Sequence, residues 1–219
     1  MSIPTTEIII FDTSEEFRND PSILRPAFDI VSKADGIQMP AYAGVQIENP
    51  ATGYVFLNWD SQEHHQAMIA SPLHDTLREA LKPVLGGSEK IYHVIFNKHP
   101  TALQQPVTEI LCLALKDPSN RAEVLDIFTK NSASPVKINT FGSTLEDENL
   151  FILVGGWLSV ESHWQMHKGM ITSSPELKAQ LERLQALTDK KHLFHTALTP
   201  YEYKEQLAVN VSLEVASPE

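Results

Sequence analysis

The sequence predicts an α+β protein: two tandem βαββαβ (ferredoxin-like) repeats packed sheet to sheet as one intramolecular barrel. Three observations carry this. The stretch Trp59-Asp60-Ser61-Gln62-Glu63-His64-His65-Gln66-Ala67-Met68 returns as Trp157-Leu158-Ser159-Val160-Glu161-Ser162-His163-Trp164-Gln165-Met166, with Trp, Ser, Glu, His and Met at the same offsets. A fixed-spacing echo of this kind marks a duplicated structural unit. The echo also runs in order along the chain, pairing Thr6-Glu7-Ile8-Ile9 with Thr108-Glu109-Ile110-Leu111, Gly44 with Gly142, and Tyr92-His93 with Phe194-His195. Finally, both alternating sets of a strand such as Ile91–Phe96 are largely apolar. A sheet with helices on one face and water on the other should be polar outside. The second face must therefore be covered too, and the cover expected is the matching face of the other repeat, with a lined chamber between them.

The elements follow in order. Glu7 to Phe11 is a compact apolar run and reads as the first strand. Pro21 suits a first helical turn and Pro26 should kink or restart the helix, which then runs from Ala27 to Ala34 and stops at Gly36. Strands are expected over 42–46 and 54–59 around a turn at Asn49-Pro50-Ala51-Thr52-Gly53. Ser61 is placed to cap a short helix through Met68, Ser71-Pro72 opens another to about Val84, and Gly86-Gly87 ends it before a strand over 90–96. The second half repeats the order with strands at 109–115, 137–143, 150–157 and 192–198, and helices at 119–130, 159–170 and 175–187. The repeats are read as residues 3–98 and 104–200, joined by a linker around His99 to Gln105. Residues 201–219 form a tail whose alternating Val209, Val211, Leu213 and Val215 suit an edge strand.

Composition narrows the function classes. The net charge is −11 with no Lys/Arg cluster, so nucleic acid and anionic membrane surfaces are poor partners. Cys112, the one cysteine, sits in an apolar run and reads as a small buried hydrophobe. The N-terminus lacks a basic region followed by an apolar core, and no apolar run reaches membrane-spanning length, which leads us to expect a soluble cytoplasmic protein. Each half is small, so packing one on the other should supply much of the buried surface.

The pattern strand, Trp-x-Ser-x-Glu-x-His, helix, Ser-Pro, present at Trp59 and at Trp157, resembles the dimeric α/β barrel superfamily, and within it antibiotic-biosynthesis-monooxygenase (ABM) domains in tandem. The resemblance covers roughly residues 3–200. It implies two halves that mimic the homodimer of single-domain relatives, with further pairing into a homodimer left open. It also implies a range of activities: cofactor-independent oxygenases of aromatic polyketides, polyketide cyclases, haem-degrading enzymes and isomerases. Some plant cyclases of the superfamily use a His just after a Pro in the loop behind the motif helix, and Pro72-Leu73-His74 matches that position. Their accompanying Tyr would fall at Met68. Haem-degrading members carry a Trp where Met68 and Met166 stand here. The second half has Glu176-Leu177 after its Pro, so the halves are not chemically equivalent.

Residue chemistry then nominates His74 as a general base, since imidazole titrates near neutrality; otherwise it is a half-exposed helix-start residue beside Asp75. His93 and His195, on strands, follow His74 as catalytic candidates; a buried imidazole there needs a partner, either a backbone carbonyl or Glu7 and Glu109 on the neighbouring first strand. His65 and His163 recur in the motif and suit either ligand binding or helix packing. Trp59 and Trp157 suit core anchors, and Tyr92 and Met68 a cavity lining. His163 and His167 share a helical face as metal pairs do, but no third ligand has the spacing, so no metal site is expected. The expected activity is cofactor-independent oxygenation, or His-assisted cyclisation or rearrangement, of a small apolar, aromatic or polyketide-like molecule. The alternative is a non-catalytic carrier or stress-associated binding protein.

Overall fold

The computed structural model describes residues 3–132 and 138–202, leaving aside the side chains of residues 170 and 171. The first half runs β1 (Thr5–Thr13), α1 (Glu15–Asn19), a 3-10 turn (Pro21–Leu24), α2 (Arg25–Val31), β2 (Ile37–Val45), β3 (Thr52–Trp59), α3 (Gln62–Ile69), α4 (Pro72–Leu81) and β4 (Leu85–Ile95). A 3-10 turn at Thr101–Gln104 leads to β5 (Val107–Leu115), α5 (Arg121–Ser132), β6 (Ile138–Ser143) and β7 (Leu150–Trp157). The chain continues as α6 (Val160–Ser173), α7 (Pro175–Leu187), β8 (Thr188–Thr196) and β9 (Thr199–Tyr201).

Local signals explain most boundaries. Ser14 accepts from the Phe17 amide and Ser174 from the Leu177 amide, capping α1 and α7. Pro26 restarts the helix: it occupies the first turn of α2, where its missing N–H leaves nothing unpaired. Gly36, at φ 75°, turns the chain out of the α2 region in a conformation that disfavours a side chain. Gly86 and Gly87 differ from expectation. They open β4 rather than close α4, because a Cβ on Gly86 would stand 2.4 Å from the Thr13 carbonyl oxygen of the adjacent β1.

All named pairings are antiparallel, in the orders β4-β1-β3-β2-β9 and β6-β7-β5-β8. Strand alternation then sorts the side chains. Ile8, Tyr54, Phe56, Tyr92, Val94 and Phe96 from one sheet meet Ile110, Cys112, Ile152 and Val154 from the other in a single buried cluster. The opposite set, including Phe11, Val55, Leu57 and Trp59, packs on α1 to α4, and Leu113, Phe151 and Phe141 pack on α5 and α7. The edges join as well. Thr144 bridges to Val94 and Thr196 to Gln46, and β9 adds to β2, so the two sheets close into one barrel.

The barrel interior corrects the expected chamber. It is packed with large side chains, and the linker contributes Ala102 and Leu103 to it as a plug. Two cavities exist instead on the other side of each sheet, between strands and helices. The tail strand expected over 209–215 lies outside the described residues, but Thr199–Tyr201 already crosses back to pair with β2 of the first half.

Candidate functional site

One arrangement of five side chains occurs twice, four from one half and the fifth from the other. In the first, Trp59 at the end of β3 donates its indole N–H to Glu7 Oε2 in β1 at 2.9 Å. His65, one turn into α3, places Nε2 3.4 Å from the same oxygen and stacks on Trp59. Its Nδ1 lies 2.7 Å from His93 Nε2 in β4, and His93 Nδ1 lies 2.5 Å from Glu146 Oε1. In the second half Trp157 donates to Glu109 at 2.9 Å and His163 Nε2 lies 3.5 Å from Glu109 Oε2. His163 Nδ1 lies 2.8 Å from His195 Nε2, and His195 Nδ1 2.5 Å from Glu48 Oε1. Register produces the match, because Glu7 pairs with His93 across β1 and β4, and Glu109 with His195 across β5 and β8.

The partners of His93 and His195 therefore differ from expectation. Glu7 and Glu109 stand on the neighbouring strands as anticipated, but they hold the tryptophans. The direct carboxylate partners, Glu146 and Glu48, come from the opposite half. Four residues past each of the paired glycines Gly44 and Gly142 stands a Glu, so the chain's echo contained this signal.

Electrostatics follow burial. Burial pushes Glu7 up to about 7, against the Trp59 hydrogen bond and nearby His93, which pull it down. Burial, then His93 and His74, bring His65 down to about 4; burial, then His195 and His167, do the same for His163. At neutral pH both motif histidines are therefore neutral.

Glu7, His65 and His93 also offer three atoms within 4.8 Å of one another, a spacing that could hold a metal ion. The donor orientations argue for a different use. The imidazoles meet nitrogen to nitrogen, with ring centroids 4.8 Å apart, and Glu7 lies at the other nitrogen of His65. At their 2.7 Å separation one nitrogen donates a proton to the other, so the two lone pairs are not both free to converge on a cation.

The cavities are unequal. The first, about 110 Å³, is lined by Glu7, Leu57, Trp59, His65, Met68 and His74 among others. The second, about 390 Å³, is lined by Glu109, Gly156, Trp157, His163, Met166 and His167 among others. Sequence accounts for the difference. Leu57 points into the first cavity, and its counterpart in the echo is Gly155, where a Cβ would stand 2.9 Å from Glu109 Oε2. Met68 is 5 % exposed and fills its cavity, whereas its counterpart Met166 is 37 % exposed. The mouth of the second cavity carries the exposed apolar side chains of Leu158 and Ile138 as well.

Of the residues nominated from sequence, Trp59, His65, Met68 and His74 border the first cavity and Trp157 and His163 the second. His93 and His195 stand behind them as hydrogen-bond partners. Tyr92 departs from the cavity lining proposed for it. It faces the packed barrel interior, with the exposed Lys90 reaching over its ring, the ammonium 4.9 Å from the ring centre.

The architecture has solved counterparts. An anthrone oxidase-like protein is similar over 95 % of this chain and 97 % of its own, at 14 % identity and a TM-score of 0.66. This likeness is one of fold. Two proteins each solved as a "putative monooxygenase" share it. That of Lactobacillus acidophilus NCFM matches at 14 % identity and TM-score 0.59, covering 91 % of this chain and 94 % of its own. That of Fusobacterium nucleatum matches at 9 % identity and TM-score 0.62, covering 92 % and 94 %. No family model and no curated protein matches the chain. No described helix is long and apolar enough to cross a membrane.

Proposed function

We propose that the protein is a monooxygenase of anthrone-type aromatic ketones and phenols, working without a bound cofactor in the cavity of the second half. The observation that carries this reading is a buried Glu109–His163 pair on the wall of a mainly apolar cavity of about 390 Å³. Small-molecule sites combine apolar walls with a few convergent polar groups in roughly this size range. A dry cavity of about 150 Å³ already holds benzene, so the first cavity, at about 110 Å³, is too small for a fused aromatic. The solved counterpart described as an anthrone oxidase-like protein agrees with this choice of substrate.

The chemistry asked of the protein is removal of a proton from an activated carbon or phenol. Neutral His163 accepts it at Nε2 and passes its Nδ1 proton to His195, whose charge the Glu48 carboxylate balances. The resulting carbanion reacts with dioxygen. For anthrone, one oxygen atom becomes the new quinone carbonyl and the other leaves as water with the two hydrogens of the methylene carbon. Desolvation in the apolar cavity raises the reactivity of the anion.

The test is absorbance of the quinone product formed from anthrone in air. His163→Ala should remove turnover about 10²- to 10⁴-fold while the protein stays folded. Saturable spectral shifts without turnover in the wild type would instead identify a carrier.

A further inference from the structure

The acidic residue that completes each histidine pair is supplied by the other repeat. Glu48 sits on the turn between β2 and β3. Its Oε1 lies 2.5 Å from His195 Nδ1, and its Oε2 accepts the His195 backbone N–H at 3.1 Å. Glu146, on the turn between β6 and β7, treats His93 alike, with Oε1 2.5 Å from Nδ1 and both oxygens 3.0 Å from the backbone N–H. Each turn is pinned where it crosses: Ile47 N–H donates to the His195 carbonyl and Leu145 N–H to the His93 carbonyl, both at 2.8 Å.

The exposures show why this division is workable. The His195 side chain is fully buried while that of Glu48 is 39 % exposed, so the negative charge stays where water can solvate it. Burial pushes Glu48 up, but the hydrogen bonds from the His195 side chain and backbone outweigh it and hold the carboxyl below its usual range. An ionised carboxylate can only accept. The proton it faces must stand on His195 Nδ1, which in the neutral ring leaves the Nε2 lone pair aimed at His163.

We propose that Glu48 and Glu146 are positioning residues, each lent by one repeat to fix the tautomer and ring orientation of the other repeat's strand histidine. Through Glu48, the His163–His195 pair carries a proton from the cavity wall outward to the barrel rim. Neither half then holds a complete relay by itself. The effect on turnover rests on the second cavity being the reactive site; the effect on the tautomer does not.

The test uses the full-length ¹⁵N-labelled protein and long-range ¹H–¹⁵N spectra of its imidazoles near neutral pH, with His195 assigned as the ring lost in His195→Gln. Wild-type His195 should carry its proton on Nδ1. Glu48→Ala should shift it to Nε2, and Glu48→Gln, whose amide oxygen still accepts, should keep it on Nδ1. Anthrone turnover in Glu48→Ala should drop about tenfold or more with KM little changed. Glu146→Ala should move the His93 tautomer and leave turnover alone, and it gives the same test should Glu48→Ala not fold. An Nδ1 proton that survives in a folded Glu48→Ala, or an Nε2-protonated His195 in the wild type, overturns the proposal. Tautomer shifts as expected without wild-type anthrone turnover would sink the reactive-site reading and leave the positioning role standing.

Discussion

His163 Nδ1 and His195 Nε2 lie 2.8 Å apart, one on a helix and one on a strand, and only one of the two nitrogens can hold the shared proton. Groups that act as a unit lose their effect together. His163→Ala and His195→Ala should each lower anthrone turnover about 10²- to 10⁴-fold, and the double variant should be no slower than the worse single one. Initial rates of all three decide the point; multiplicative losses would mean the rings act separately.

His74 is the candidate base that the resemblance nominates by its place after Pro72, yet it lines the cavity that is too small for a fused aromatic. His74→Ala should leave anthrone turnover within about twofold of wild type. A loss as large as that of His163→Ala would return the reaction to the first half.

Leu57 and Gly155 account for much of the difference between the cavities. Leu57→Ala should open the first one, at a stability cost of about 2–5 kcal/mol read from urea unfolding. Calorimetry with a small aromatic such as naphthalene should then show a second site per chain. An unchanged stoichiometry would mean that something other than Leu57 closes it.

Stability should depend on pH with opposing contributions. Glu7, raised from 4.5 to about 7, contributes stability that is full below pH 4.5 and lost as pH rises through about 7. His65 and His163, lowered from 6.5 to about 4, contribute stability present above pH 6.5 and lost as pH falls through about 4. Burial lowers His192 as well, so the histidines outweigh Glu7 between pH 4.5 and 6.5, where stability should rise with pH, and it should level or fall just above. Glu7→Gln should steepen the rise and remove the decline near pH 7. Urea midpoints from pH 4 to 8 check both; a flat profile in both proteins would mean that these groups are not coupled to folding.

The repeat made the architecture legible, because Trp, Ser, Glu, His and Met at fixed offsets impose one register twice. Alternation in Ile91–Phe96 predicts that both sheet faces are covered; Tyr92, Val94 and Phe96 are indeed buried between the sheets, whereas Ile91 and Ile95 on the other side are exposed. Alternation could not say whether the space between the sheets was hollow, since that depends on summed side-chain volume, and Phe56, Phe96 and Tyr54 fill it. Local reading also favoured Glu7 and Glu109 as histidine partners, being adjacent in the sheet, whereas the partners Glu48 and Glu146 arrive through barrel closure. Their recurrence beyond Gly44 and Gly142 was visible, but only a fold places those turns over the opposite repeat's strands. Much of the cavity difference rests on a Leu-to-Gly exchange inside the echo, which pattern matching passes over.

The most direct measurement is a crystal structure of the full-length protein soaked with anthraquinone, the product expected from anthrone. The ring system should lie between β5, β7 and the helices of the second half, beside His163, with the first cavity empty. Anthraquinone seated instead in the first cavity, or on the surface alone, would contradict it.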